Sequence, residues 1–311
     1  MRHLICIGEL LIDFLPDQKG VGLEEVNSFT KHPGGAPANV AVAGKKSGIH
    51  SHFIGQVGQD AFGKYLKKEL QSYGVDVSNL YLTKKANTSL AFVSLTKSGE
   101  RDFIFYRNPS ADQLFDSTLV NESLFKNSVL HYCSVSLCDY PIKTAHLKAI
   151  EYANKYDGFI SFDPNLRFSL WEDLNAYKET INSFIPLSNL LKISDDELFF
   201  ITGIENEYKA VQSLFIGQVS YVIITKGGEG STFYYKDGRQ ISMPAHQVDV
   251  LDTTGAGDAY IGTFLAEMIK KELLFNEENV KNAMQKASIK AAITTTTMGG
   301  MSSIPKDEDI F

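Results

Sequence analysis

Short apolar runs rich in β-branched residues recur along the chain, and longer segments with helical periodicity separate them. The runs are LICIG, HFIGQVG, VLHYCSV, GFISFD, NLLKIS and YVIIT. Strands that alternate with helices are typical of a parallel sheet. The pattern therefore predicts an α/β protein whose mostly parallel central sheet is covered by helices on both faces.

One region departs from this alternation. The segments NTSLAFVSLT and RDFIFYR flank the turn KSGE in the manner of a β-hairpin, and LIDFLP has the composition of a further strand. We expect these segments to form a small β-sheet lid contributed by residues 10–34 and 87–108. With no internal repeat or low-complexity linker, we expect residues 1–311 to form one domain.

The stretch LDTTGAGDAY, residues 251–260, precedes a segment with helical spacing of apolar residues. A helix is predicted to begin near Gly255, and its first amides and its dipole favour an anion at that end. Gly255, Ala256 and Gly257 carry almost no side chain to obstruct a phosphate. The alternative is structural: Thr253 or Thr254 caps the helix and Asp258 complements the dipole.

A second loop of small residues, HPGGAPANVAVA, also opens a helix. Gly34, Gly35, Ala36 and Ala38 lead into it, and Asn39 stands near its start. Taken alone, the loop is equally consistent with a tight turn before a helix. Together, the two loops are much less ambiguous than either loop alone.

The composition narrows the classes of molecule that the protein is expected to bind. Hydrophobic residues make up 43% and charged residues 22% of the 311 residues, and the net charge is −7. Because Lys and Arg are dispersed in an acidic chain, binding to nucleic acid or an anionic membrane is disfavoured and small-molecule partners are expected. The three cysteines, and the lack of any run approaching ~18 apolar residues, predict a cytoplasmic protein.

Several common motifs are missing from the sequence. It has no phosphate-binding G-x-x-x-x-G-K-[ST] loop, no G-x-G-x-x-G after the first strand and no G-x-S-x-G nucleophile turn. The seven histidines show no spacing typical of metal ligands. A nucleotide would therefore bind without either of the two common glycine motifs.

The two small-residue loops together resemble the two signatures of the ribokinase-like (PfkB) sugar kinases. Further blocks of that family follow in order: IGELLID, GQVGQDAFG, GERDFIFYRNPSAD, FDPNLR, KISDDEL, TKGGEGS and MGGMSSIP. The resemblance covers nearly the whole chain, and several blocks are similar to those of bacterial fructokinases. It implies a three-layer α/β/α sandwich with a β-sheet lid, ATP and Mg²⁺ as cosubstrates, and transfer of the γ-phosphoryl group to a sugar hydroxyl.

The resemblance also implies roles for individual residues. Asp258 matches the catalytic base, and Gly255, Ala256 and Gly257 match the anion hole. The positions that match the acceptor pocket are Asp13, Gly35, Asn39 and Arg167, with Phe103 or Phe105 of the lid covering the sugar. The positions that match the nucleotide site are Lys192, Glu197, Thr225, Gly228, Gly230 and Asn282.

Two cation sites are implied as well. Glu197 matches the acidic residue that organises Mg²⁺ through water, although Ser194 stands where most family members have asparagine. Asp252, Thr254 and Gly299 match a K⁺ site beside the anion hole.

The acceptor is less well defined by the sequence. D-Fructose is favoured, while 2-keto-3-deoxygluconate, ribose or a riboside such as aminoimidazole riboside are alternatives within the family. A sugar- or nucleotide-sensing protein without catalysis is a third alternative, which an intact Asp258 disfavours. The lid edge could also pair in a homodimer.

Overall fold

A computed structural model describes residues 2–18, 20–95 and 101–310; side chains at 94, 95 and 101–103 lie outside the description. It contains two sheets. The strands are β1 (His3–Ile7), β2 (Leu11–Pro16), β3 (Phe29–Gly34), β4 (Ser51–Gly58), β5 (Leu80–Thr83), β6 (Leu90–Leu95), β7 (Arg101–Tyr106), β8 (Ser128–Cys133), β9 (Phe159–Asp163), β10 (Leu190–Ser194), β11 (Tyr221–Thr225), β12 (Ser231–Tyr235) and β13 (Gln240–Met243).

The larger sheet has nine strands in the order β13-β12-β11-β10-β9-β8-β1-β4-β5. Pairing is parallel from β11 through β5, and only β12 and β13 join antiparallel to the edge. All six apolar runs identified in the sequence lie on strands of this sheet. The prediction of a mostly parallel central sheet is confirmed.

Helices cover both faces of the sheet. Along β1, Leu4 and Cys6 join one hydrophobic core while Ile5 and Ile7 join another, as alternation of side chains in a strand requires. Helices α1, α2, α7 and α8 contribute to the first core and α3 to α6 to the second. The predicted three-layer α/β/α sandwich is therefore confirmed. The helices are α1 (Ala36–Lys46), α2 (Ala61–Ser72), α3 (Pro141–Lys155), α4 (Leu174–Phe184), α5 (Asp195–Thr202), α6 (Glu207–Ser213), α7 (Ala256–Lys270) and α8 (Glu277–Thr294).

The smaller sheet has four strands in the order β3-β2-β6-β7. The predicted hairpin is present as β6 and β7, whose antiparallel register pairs Leu90 with Tyr106 and Leu95 with Arg101. All four strands fall within the two segments expected to form the lid. No helix in the described part of the chain has the length and apolarity needed to cross a bilayer.

Helices α1 and α7 pack closely, and Asn39 near the start of α1 is hydrogen-bonded to Asp258 near the start of α7. A Cβ on Gly262 would lie 2.5 Å from the Ala43 Cβ and 2.8 Å from the Val40 carbonyl oxygen, so only glycine allows this approach. Both helices follow the small-residue loops described above. The two loops are consequently side by side at one end of the molecule.

Candidate active site

A cavity of about 210 Å³ lies where the two small-residue loops meet the smaller sheet. It is called the acceptor cavity below. Most residues predicted for the sugar and the anion hole line it, although they come from different elements and loops: Asp13, Gly35, Asn39, Phe105, Arg167, Gly255, Gly257 and Asp258. Lys192, predicted for the nucleotide site, lines this cavity as well.

Asp258 occupies the third position of α7 and is only 6% exposed. Its Oδ2 accepts a hydrogen bond from Asn39 Nδ2 at 2.8 Å, and its Oδ1 accepts one from Asn165 Nδ2 at 3.3 Å. Burial raises the pKa of the carboxyl above its usual value, against the opposing effects of Asn39, Lys192 and Arg167. The side chain is thus held by two amides and is more basic than a solvated aspartate.

The first turn of α7 is shaped by glycine. Gly255 is the N-cap residue, with a φ of 78° in the left-handed region, and no side chain caps the helix. Thr254 instead donates its hydroxyl to Asp252 Oδ1 at 2.7 Å. The N-cap position is thus held by Gly255 and not by Thr253 or Thr254, and Gly257 of the first turn stands in the cavity wall.

Asp13 and the glycines of the first loop fit together tightly. A Cβ on Gly34 would lie 2.0 Å from the Asp13 Oδ2, so glycine leaves the space that this carboxylate occupies. Gly35 has a φ of 112°, and a Cβ there would lie 2.4 Å from the Glu9 carbonyl oxygen. The loop conformation that exposes Asp13 to the cavity therefore requires both glycines.

The FDPNLR loop follows β9 and reaches the same cavity. Arg167 Nη1 donates to Asn165 Oδ1 at 2.7 Å and to the Leu166 carbonyl at 2.9 Å. Because Asn165 in turn donates to Asp258, the guanidinium helps to fix the orientation of the predicted base. Beyond the loop, the Trp171 ring stacks on Tyr177 with centroids 4.5 Å apart.

A second cavity of about 270 Å³ adjoins the first and is called the nucleotide cavity below. Thr253 and Gly257 line both cavities, so the two meet at the start of α7. The predicted residues Thr225, Gly228 and Gly230 are in its wall, as is Ala256. Another wall is formed by Ser288, Ala291 and Ala292 of α8 and by Thr295, its C-cap residue.

Asn282 does not line the nucleotide cavity. It lies on a separate surface depression with Gln285, Lys286 and Ile289, whereas the cavity wall is the helix face that begins at Ser288. Six residues separate Asn282 from Ser288, and at about 100° per residue this places them on different faces of α8. The sequence assignment of Asn282 is corrected to this other face.

Glu197 lies outside both cavity linings. Its Oε2 accepts from the Ser194 amide at 2.9 Å in a capping box, and its Oε1 accepts from the Leu166 amide at 2.5 Å. The carboxylate therefore connects the start of α5 to the FDPNLR loop. Among the described residues, no three His, Cys, Asp or Glu side chains are grouped to hold a metal ion.

The residues predicted for K⁺ are brought together by Asp252. Its Oδ1 accepts from the Thr254 amide at 3.0 Å and its Oδ2 accepts from the Gly299 amide at 3.0 Å. Gly299 has a φ of 93°, and a Cβ there would lie 2.8 Å from the His32 ring. Asp252 thus joins the loop before α7 to the turn at 299–301.

Some relevant residues were missed or cannot be placed. The side chain of Phe103 lies outside the described residues, whereas Phe105 lines the acceptor cavity. Glu9, in the same wall, is 1% exposed and accepts from Ser136 Oγ at 2.6 Å. Asn165 was overlooked although it stands two residues before Arg167. The signal that could have identified Asn165 is its position as a polar residue in the turn after a buried strand.

Comparison with known proteins identifies the family. The model of the pfkB family of carbohydrate kinases matches residues 1–307. Fructokinase-2 of Zea mays is 40% identical over 305 residues, which cover 97% of this chain and 91% of that protein.

Solved structures agree over the whole fold. A fructokinase from Vibrio cholerae O395, with fructose, ADP and calcium bound, has a TM-score of 0.91 at 32% identity, covering 99% of this chain and 97% of that chain. A double mutant of that fructokinase was solved with fructose, ADP and potassium. A putative ribokinase II from E. coli, with ATP and Mg²⁺ bound, has a TM-score of 0.89 at 26% identity, covering 100% and 98%. The chain belongs to the pfkB family of carbohydrate kinases.

Proposed function

We propose that this chain is an ATP-dependent kinase that phosphorylates D-fructose to fructose 6-phosphate. The observation that carries the proposal is the position of Asp258, in the acceptor cavity and one residue from Gly257, where the nucleotide cavity begins. A hydroxyl beside this carboxylate would face a phosphate at the start of α7. The fructokinases among the relatives supply the choice of acceptor.

The nucleotide cavity suits ATP. The small residues Gly228, Gly230, Ala291 and Ala292 leave room for a flat base, and the open end of α7 offers amides to phosphate oxygens. Bound Mg²⁺–ATP would supply the phosphoryl group and partly neutralise its charge. Because Glu197 is already bonded to two backbone amides, we propose that it organises Mg²⁺ only through water.

The protein's own groups then have separable tasks. Asp258 accepts the proton of the reacting hydroxyl, while Asn39 and Asn165 hold the carboxylate in place. Asp13 and Arg167 bind and orient the sugar. Phe105 of the lid excludes water, which would otherwise compete as the acceptor.

Asp252 is the proposed anchor of a K⁺ site with Thr254 and Gly299. Its carboxylate is fixed by backbone donors on both oxygens and stands next to the anion hole. Replacing K⁺ by Na⁺ in the assay should lower kcat if a monovalent cation binds there. Equal rates in both salts would remove the cation from the proposal.

The proposal is tested with a panel of acceptors and Mg²⁺–ATP, measured through ADP release and NMR of the product. Fructose should give the highest kcat/KM, with phosphate on the carbon-6 oxygen. The panel includes ribose, aminoimidazole riboside and 2-keto-3-deoxygluconate. Turnover restricted to one of these would show that the fructose assignment is wrong, and sugar binding without any turnover would indicate a sensor.

Two broader features belong to the same proposal. The three cysteines are unpaired, with Cys6 and Cys133 buried, which supports the expected cytoplasmic location.

The outer strand β7 of the lid carries exposed Ile104 and Tyr106, which supports pairing of two chains through the lid.

A further inference from the structure

Lys46 is the last residue of α1, and it binds a segment that follows α8. Its Nζ donates to the Met301 carbonyl at 3.0 Å and to the Ile304 carbonyl at 2.6 Å. Both residues are buried, and the described part of the chain gives their carbonyls no other donor. Lys46 therefore holds residues 299–304, called the C-terminal segment below, against the side of α1.

The first two residues of the C-terminal segment contact the candidate active site. Gly299 donates its amide to Asp252. A Cβ on Gly300 would lie 2.9 Å from both Nδ2 and Oδ1 of Asn39, and a Cβ on Gly255 would lie 3.0 Å from the Gly300 Cα. The backbone at Gly300 thus packs against the Asn39 amide and against the start of α7.

Asn39 and Lys46 meet this segment from one side of α1. They are seven residues apart, about two helical turns, so they lie on the same face of the helix. Asn39 packs against the beginning of the segment and Lys46 binds its end. Loss of the contacts at Lys46 would therefore loosen the packing at Asn39.

The orientation of the Asn39 amide matters for both the base and the acceptor. Its Nδ2 donates to Asp258, while its buried Oδ1 has no hydrogen-bond partner among the described residues. Because Asn39 lines the acceptor cavity, a sugar hydroxyl can donate to this oxygen. Rotation of the amide would disturb both interactions, and Gly300 occupies the space that such a rotation needs.

The charge of Lys46 is retained at a cost. Burial and the neighbouring cation Lys290 lower the pKa of Lys46 to about 8. The ammonium form is thus less favourable here than in water. An apolar side chain would avoid this cost but would leave two buried carbonyls without a donor, so the contact with the C-terminal segment accounts for a lysine at this position.

We propose that Lys46 is a positioning residue for phosphoryl transfer. By holding two carbonyls of the C-terminal segment, it keeps Gly300 packed against Asn39. The Asn39 amide consequently stays directed at Asp258 and at the acceptor hydroxyl. This inference rests on the proposed kinase function and adds to it a residue that lines neither cavity.

The first test uses Lys46→Met, which keeps the length of the side chain and removes its donors. We expect kcat/KM for the sugar to fall by roughly 10–100-fold, since misplacing a group that orients the reactants by about 1 Å can cost that much. Lys46→Arg keeps donors for both carbonyls and should recover most of the loss. Lys45→Met is the matched control: it removes a lysine from the same helix end, and Lys45 has no hydrogen bond or ion pair among the described residues.

A double-mutant cycle with Asn39→Ala separates positioning from a general structural role. If Lys46 acts through Asn39, little remains to be lost once the amide is absent. Lys46→Met should then lower kcat/KM of the Asn39→Ala enzyme by less than about threefold, whereas independent effects would multiply. Thermal unfolding of all variants, measured in parallel, shows that the compared enzymes are folded.

Gly300→Ala provides a second route to the same conclusion if Lys46→Met does not fold. Gly300 does not have a left-handed φ, so the substitution adds a methyl group against the Asn39 amide without backbone strain. It should lower kcat/KM in the wild-type background. In the Asn39→Ala background it should have little effect, because the shorter side chain leaves room for the methyl group.

The inference is overturned if folded Lys46→Met keeps the kcat/KM of wild type, or if Lys46→Met or Gly300→Ala causes the same loss with and without Asn39. A wild type that does not phosphorylate fructose would instead count against the proposed function. The cycle is then measured by calorimetry as affinity for the sugar of the acceptor panel that binds most tightly, and additive losses would again overturn the role of Lys46.

Discussion

At the scale of single residues, the environment of Asp258 decides its chemistry. The sequence places it at a helix N-terminus, which lowers the pKa of a carboxyl. In the folded protein burial outweighs this effect and raises the pKa. The position of a residue along a helix can be predicted from the sequence, but its burial depends on the strands and lid that close over it.

Asp258→Asn tests the base directly. The amide is nearly isosteric and can still accept from Asn39, so folding and ADP binding should persist. We expect kcat to fall by roughly 10²–10⁴-fold, the usual contribution of a general base. Steady-state kinetics and calorimetry with ADP measure the two effects, and near-normal turnover would contradict the assignment.

The same variant has an expected effect on stability. Because burial raises the folded-state pKa of Asp258 above 3.8, the ionised form is disfavoured in the fold, and its contribution to stability decreases as pH rises through that pKa. At pH 7, Asp258→Asn should therefore unfold at the same temperature as wild type or higher. Any advantage should vanish when both states are protonated, below about pH 4.

Arg167 combines contact with the cavity and support of Asn165. Arg167→Ala should lower kcat/KM for the sugar about 10–100-fold, since a hydrogen bond to a charged group contributes about 1.5–3 kcal/mol. The ATP KM should be unchanged. Arg239→Ala, which removes an exposed arginine, is the control. An Arg167→Ala enzyme with reduced stability and normal sugar kinetics would show a purely structural arginine.

At the scale of elements, the apolar runs predicted six of the nine strands of the larger sheet, but not β5, β12 or β13, and the pattern could not assign helix faces. Runs such as YVIIT are buried on both sides and are recognisable without tertiary information. Helix α8 is different, since Asn282 and Ser288 each adjoin an alanine, Ala283 and Ala287, and only packing determines which face meets the cavity. The error for Asn282 follows from that ambiguity.

The start of α7 depends on the left-handed conformation of Gly255. Gly255→Ala should destabilise the fold by about 1–2 kcal/mol, the cost of that conformation for an L-residue. Gly22→Ala is the control, because Gly22 has an ordinary φ and open space around it. Urea unfolding of both variants measures the difference. Equal midpoints for Gly255→Ala and wild type would contradict the strain argument.

At the scale of the whole molecule, the site is assembled from residues that are far apart in sequence. Asn39 and Asp258 are separated by 219 positions and yet are hydrogen-bonded. Their grouping was predictable only through the family resemblance, since no periodicity reports which loops meet. The hydrogen bond from Lys192 Nζ to Asp163 Oδ2, 2.9 Å long, joins the separate blocks KISDDEL and FDPNLR and depends on the pairing of strands β9 and β10.

The lid provides a prediction about assembly. Ile104 is 48% exposed and Tyr106 64% exposed on the outer strand β7, on the face opposite Phe105. If two chains pair through the lid, replacing both residues by Lys should shift a dimer to monomer in light scattering. Leu82→Lys, at an exposed apolar position on β5, should not. A wild-type monomer at micromolar concentration would end this prediction.

The stacking of Trp171 on Tyr177 places a fluorescent side chain next to the candidate site. Trp171 is the only tryptophan in the chain. The Tyr177 hydroxyl also accepts a hydrogen bond from the Arg167 backbone amide at 3.1 Å. Tryptophan emission can be excited apart from that of tyrosine. Any ligand that moves the FDPNLR loop should change one assignable signal, so acceptor binding can be titrated without a label or a coupled enzyme.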